Sequence, residues 1–250
     1  MANIVIAGAN QGIGYALVEQ LLRDGHAVAA LDCQVDHLES LQRAFPRLLF
    51  RQADVRQDKA VGEAIAELCI ELGSADVAIH NACRCTFARE EDTSLAEYRE
   101  VFDVNYYGAL RLVKCVLPWM QAQKRGRMIF VSSGVGITGF PGVSAYASTK
   151  AALEALAKCL NLEYARENIT FHIAHPPLTR TQSSAPLPIP KEFMATPQKV
   201  GQGLARQILS KRLILCPSRW QKIQTMACYW FPAKMGRLLA KMTERAQKQD

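Results

Sequence analysis

The chain has 250 residues, 49% of them hydrophobic, enough to bury a sizeable core and a better fit to one α/β domain than to two small ones. It runs from Met1-Ala2-Asn3 straight into a short apolar stretch without a basic leader, and no apolar run reaches the roughly 18 residues that a spanning helix needs, so a cytoplasmic or membrane-peripheral chain is expected. The net charge of +7 lies at one end: from Lys211 onward there are nine Lys/Arg against two Asp/Glu, and residues 1–210 balance, which argues against nucleic-acid binding by the main body.

In chain order, Asn3 to Ala7 reads as a strand, a glycine turn follows, and Ile13 to Arg23 has apolar residues at helical spacing. Strands are predicted at His26 to Leu31, Leu48 to Phe50, Asp76 to Ile79, Arg127 to Val131, Thr170 to Ala174 and Leu213 to Cys216. Helices are predicted near 35–43, 57–72, 94–122 and 144–167. This alternation implies a Rossmann-type, doubly wound parallel sheet in a three-layer α/β/α single domain, with ligands beyond the carboxyl ends of the strands. Pro176 to Pro197 is rich in proline and reads as a long loop with little regular structure, a candidate substrate lid over about 177–197. The eight cysteines lack a metal-like CxxC pair, which fits a reduced chain whose thiols are small apolar fillers, with no metal site.

The turn Gly8-Ala9-Asn10-Gln11-Gly12-Ile13-Gly14 joins the first strand to the first helix. Its glycines let the backbone approach a pyrophosphate, which the N–H groups at the helix start can hold. Asp32 closes the second strand, where a carboxylate can accept hydrogen bonds from ribose hydroxyls and repel a 2′-phosphate. No Lys or Arg occupies the turn, so NAD is favoured over NADP. Asp54, after the third strand, can reach an adenine edge. A tight structural turn and a solvated aspartate remain the alternatives.

Tyr146-Ala-Ser-Thr-Lys150 sets a phenol and an ammonium four residues apart, on one face of one helix. Ser133 ends a strand thirteen residues earlier, and Asn105 lies in the long helix before that strand. With GANQGIG, Asp54, His80-Asn81-Ala82-Cys83, Val131-Ser132-Ser133 and YASTK in this order, the chain resembles the short-chain dehydrogenase/reductase family from residue 3 to about 210.

The resemblance implies a nicotinamide-dependent oxidoreductase interconverting a secondary alcohol and a ketone. In it Tyr146 is the acid/base, Lys150 holds the nicotinamide ribose and lowers the tyrosine pKa, Ser133 steadies the substrate oxygen, and Asn105 supports a water-based proton path. The cofactor-binding set it implies is Gly8, Asn10, Gln11, Gly12, Ile13, Gly14, Asp32, Asp54, Val55, Asn81, Ala82, Tyr146, Lys150, Pro176 and Thr181. It also implies a homodimer or homotetramer packed through the two long helices. A dehydratase or epimerase using the same tyrosine, and a non-catalytic dinucleotide-binding regulator on the same fold, are the competing readings.

Two positions depart from the family pattern. Cys83 stands where a glycine is usual, and Pro176-Pro177 replaces Pro-Gly, a form similar to that of ketosphinganine reductases. His80 and His175, at strand ends, are expected to hydrogen-bond backbone. In the basic extension, about 218–250, Met235, Leu238, Leu239 and Met242 recur at helical spacing beside Lys234, Arg237, Lys241, Arg245 and Lys248, with Trp220, Ile223, Met226, Trp230 and Phe231 upstream. Such a segment suits either a cover for the substrate cleft or a partner, or an anionic membrane surface approached by a hydrophobic, lipid- or steroid-like substrate.

Overall fold

The computed structural model describes residues 1–187 and 189–247, with side chains as far as Lys241. The apolar runs form β1 (Asn3–Ala7), β2 (Ala27–Asp32), β3 (Leu49–Gln52), β4 (Val77–His80), β5 (Gly126–Val131), β6 (Ile169–Ala174) and β7 (Ile214–Leu215). The helices are α1 (Gly12–Arg23), α2 (Asp36–Ala44), α3 (Asp58–Leu72), α4 (Leu95–Phe102), α5 (Gly108–Ala122), α6 (Val135–Thr138), α7 (Ser144–Glu163), α8 (Pro197–Ala205), α9 (Arg219–Trp230) and α10 (Pro232–Gln247).

The strands pair in the order β3-β2-β1-β4-β5-β6-β7, and every pairing is parallel. The inner strands, buried on both faces, alternate between two cores, as a period of two residues requires. In β1, Val5 and Ala7 face Leu68, Val113, Leu153 and Phe171 on the α3/α5/α7 side. Ile4 and Ile6 face Leu17, Leu21, Leu38 and Val200 on the α1/α2/α8 side. The order reverses between β1 and β4, where the two chain directions diverge and leave a crevice at the carboxyl edge.

The helix expected over 94–122 runs from Leu95 to Ala122 with one change of winding. Between α4 and α5, Asp103–Tyr107 forms one π turn, an insertion that often marks a functional position, and Asn105 is inside it. The proline-rich segment is better organised than its composition suggests: Arg180 donates to the Ala195 carbonyl and Ala195 to that of Leu178, pinching its neck. Two 3₁₀ turns, Gln182–Ser184 and Lys191–Phe193, lie within it. Its end starts α8, which the sequence reading did not anticipate: Thr196 caps the helix through Lys199 N, with Pro197 at its first turn.

All eight cysteines are free thiols. Cys69, Cys216 and Cys228 are buried, whereas Cys33 and Cys159 are exposed, so the expectation of small apolar fillers fails for these two, which sit beyond the strand and helix faces that form the core. In the C-terminal extension, Met235 and Leu239 are half-buried while Leu238 is exposed. Met242 and Arg245 lie beyond the described side chains and Lys248 beyond the described residues.

Candidate active site

The glycine turn sits where β1 and β4 part. Gly8, at φ +84°, packs so closely that a Cβ there would lie 2.2 Å from the Ala82 nitrogen, and one on Gly14 would lie 2.0 Å from the Gly8 carbonyl oxygen. Asn81 fastens the crossing by donating from Nδ2 to that carbonyl at 2.6 Å, while the backbone N–H groups of Asn81 and Ala82 donate to Ala7. The glycines are therefore needed for backbone approach as well as for turn shape. Gly14→Ala is expected to cost about 1–3 kcal/mol by overpacking and to abolish dinucleotide binding. Thermal melting and quenching of NADH fluorescence would check both, and an unchanged melt would refute the packing argument.

Asn10 is buried and ties the turn to α2. Its Oδ1 accepts from His37 N and Leu38 N at 3.0 and 3.2 Å, and its Nδ2 donates to Asp36 at 2.8 Å. Gln11 precedes α1 without capping it through its side chain, so the first N–H groups of that helix face the crevice without a side-chain cap, which fits a pyrophosphate. Asp32 folds over the turn, accepting from Asn10 N at 2.9 Å and Gln34 N at 3.2 Å. With Asp36 it makes this corner acidic. Asp54 is held by Arg56 (Oδ2 to Nη2, 2.6 Å), and that bond keeps its carboxyl below the usual range. The adjacent Val55 is buried under Gly108. Thr181 comes back to the turn from the lid segment: a Cβ on Gly12 would meet its Cγ2 at 3.1 Å.

On the other side of the crevice, β5 ends in Ser132-Ser133 and α7 carries Tyr146 and Lys150. Lys150 is almost fully buried. Its ammonium donates to the Val131 carbonyl at 2.7 Å and stands 5.4 Å from the centre of the Tyr146 ring. The carbonyl and the ring quadrupole together make a buried cation tolerable. Burial pushes the Tyr146 phenol well above its ordinary value, the Cys83 and Cys85 thiols add to the rise, and the Ser133 hydroxyl draws it partly back. The net direction is upward, with burial the largest cause.

Asn105 turns inward from the π turn. Its Oδ1 accepts from Arg84 N at 2.7 Å, and its Nδ2 donates to the Arg84 carbonyl at 2.9 Å and to Thr149 Oγ1 at 3.0 Å. The side chain is fully engaged by protein, so it fixes the Cys83–Cys85 loop against α7, and any water path past Asn105 would use its backbone. Both histidines face backbone, as expected, His80 at Val104 and Asn105 and His175 at Ser133. His80 lies against the π turn, beside the backbone of Val104 and Asn105, and neither ring nitrogen has a partner of good hydrogen-bond geometry among the described residues. His175 also joins a buried cluster: its Nε2 is 3.2 Å from the Tyr229 hydroxyl and 3.4 Å from Glu154 Oε1. Tyr229 donates to Glu154 Oε2 at 2.8 Å, and Ser132 donates to Oε1 at 3.3 Å.

This cluster, Thr149 and Asp36 carry no signal in the sequence. Glu154 and Tyr229 are 75 residues apart, and neither belongs to a spacing that signals a pair. Asp36 was hidden in an ordinary helix start.

The short-chain dehydrogenase family model matches residues 2–191. The chain belongs to that family. It is 33% identical over 181 residues to human retinol dehydrogenase 8, a match covering 69% of this chain but 57% of that protein, so it aligns with little more than half of that relative. Oxidoreductase UcpA of Escherichia coli is 33% identical over 84% of this chain and 81% of its own. Bovine 3-ketodihydrosphingosine reductase is 28% identical over 74% of this chain and 58% of its own. Among solved structures, a short-chain dehydrogenase from Streptomyces avermitilis covers 100% of this chain and 99% of its own, with TM-score 0.81 at 23% identity, a likeness of fold. An alcohol dehydrogenase from Thermococcus sibiricus, complexed with 5-hydroxy-NADP, covers 86% of this chain and 95% of its own, with TM-score 0.79 at 26% identity.

Proposed function

We propose that this short-chain dehydrogenase interconverts a secondary alcohol and a ketone with NAD(H), with Tyr146 moving the proton. The observation that carries the reading is the convergence of Tyr146, Ser133 and Lys150 at the carboxyl edge of the sheet, across the crevice from a glycine turn at the strand-order reversal. The glycine turn and the start of α1 would hold the pyrophosphate, Asp32 the adenosine ribose, and Lys150 with Thr181 the nicotinamide end. A bound nicotinamide supplies the hydride chemistry.

The protein handles the oxygen and its proton. A phenol kept protonated by burial is poised to donate to a ketone oxygen as negative charge builds there, and the Ser133 hydroxyl supplies a second donor to that oxygen. The Lys150 ammonium over the ring favours the phenolate left after donation. A non-catalytic binding module has no use for this set.

A hydrophobic substrate is supported by relatives named for retinol and 3-ketodihydrosphingosine, and by Leu178 and Phe193, exposed on the lid segment. Self-association is supported by Leu95 and Tyr107, large apolar residues exposed along α4 and the π turn. The deciding measurement is consumption of NADH against NADPH over ketones of graded chain length. NADH with long-chain or ring ketones is expected to give the highest kcat/KM, and a preference for NADPH would overturn the assignment of Asp32.

A further inference from the structure

The extension carries a feature that the active site does not use. Between Glu192 and Glu244 the chain contains no Asp or Glu, yet this stretch supplies two helices that lie partly in solvent. On α9, Trp220 is 66% exposed, Ile223 61% and Trp230 70%, at spacings of three and seven residues that align them along one side of the helix. Phe231, exposed at the junction, has the Lys234 ammonium 5.6 Å from its ring centre. On α10, Lys234, Arg237, Leu238 and Lys241 are exposed at i, i+3, i+4 and i+7, and Arg219 and Lys222 are exposed on α9. Four large apolar side chains from Trp220 to Phe231 are thus accompanied by five cations without one anion.

The other side of the extension is anchored to the body. Thr225 and Cys228 are buried under α9, and Tyr229 joins the Glu154 cluster. Gly236 meets the Thr138 carbonyl so closely that a Cβ would lie 2.7 Å from it. The exposed side is therefore held rigidly on α6, the helix between Ser133 and Tyr146.

We propose that the exposed side of α9 and α10 docks the protein on an anionic lipid bilayer. Tryptophan favours the headgroup boundary, where its ring is buried and its N–H still finds polar partners, and lysine and arginine reach the negative surface. A second copy of the chain would set like charges together, and a neutral apolar partner would leave the cations unmatched. No described helix is long and apolar enough to cross a membrane, so the contact lies in the plane of the surface. The docking stands on the extension alone. Its consequence, delivery of an apolar substrate to a crevice beside the surface, rests on the oxidoreductase reading above.

The test is co-sedimentation of the full chain with phosphatidylcholine vesicles, with and without phosphatidylserine. Binding is expected only with phosphatidylserine, falling as salt rises and accompanied by a blue shift of tryptophan emission. Trp220→Ala with Trp230→Ala, or Lys222→Glu with Arg237→Glu, is expected to weaken binding about tenfold or more, with melting temperature and NADH binding preserved. Equal pelleting of these variants and the parent would overturn the proposal, as would no binding at low salt, or light scattering that shows the tryptophans holding a dimer. Because no step depends on turnover, failure here is separable from failure of the catalytic reading.

Discussion

Tyr146→Phe is expected to lower turnover by about 10²–10⁴-fold, the usual worth of a positioned acid/base, while NADH binding survives. The substitution removes only the hydroxyl, so the ring still meets the Lys150 ammonium and the fold should persist. The direction of the phenol's shift adds a second readout. Because burial and the neighbouring thiols hold its pKa well above the ordinary value, ketone reduction should not lose activity as pH approaches 10, where an unperturbed phenol titrates. Alcohol oxidation, which needs the phenolate, should keep rising through that range. A Phe variant as active as the parent would end the proposed mechanism.

The site was legible where neighbours in sequence remain neighbours in space. Tyr146 and Lys150 share a helix face by spacing alone, and the glycine turn is contiguous. Strands buried on both sides are written as unbroken apolar runs, which is why the sheet could be placed to within a residue or two. Features carried by geometry were not legible. A π turn adds a residue without changing the apolar pattern, so 94–122 reads as one helix and the inward turn of Asn105 stays hidden. Thr196-Pro197 is a helix start, but it closes a proline-rich stretch and so reads as the end of a loop. The Glu154–Tyr229 bond joins the catalytic helix to the extension, and only the packed fold brings those residues together.

That same packing makes acid the expected route to unfolding. His80, His172 and His175 are nearly inaccessible, and burial lowers their pKa values from 6.5 to about 3, about 4 and about 4. The bonds of His172 show why the neutral form is held: Nδ1 donates to the Arg212 carbonyl, and Nε2 accepts beside the Arg127 guanidinium, where a proton would face a positive charge. Each folded-state pKa lies below the unfolded value, so the unfolded chain takes up protons first. Stability is intact above pH 6.5 and is lost as pH falls toward 4.

With about 1.4 kcal/mol per pH unit from each group, the three together give a slope approaching 4 kcal/mol per unit near pH 5. Glu154 acts in the opposite sense, because burial raises its pKa and its protonation favours the folded state as pH falls toward 4.5. Even two net groups would remove a large part of a typical stability of about 5–15 kcal/mol over two pH units. The melting temperature is therefore expected to hold from pH 8 to 7 and fall steeply below 6. His172→Gln, which can keep a donor and an acceptor in place, should flatten the fall by about a third. A melting temperature constant down to pH 4.5 would mean that these imidazoles find water or carboxylate partners as they protonate, and that the core behind the active site opens locally before it unfolds.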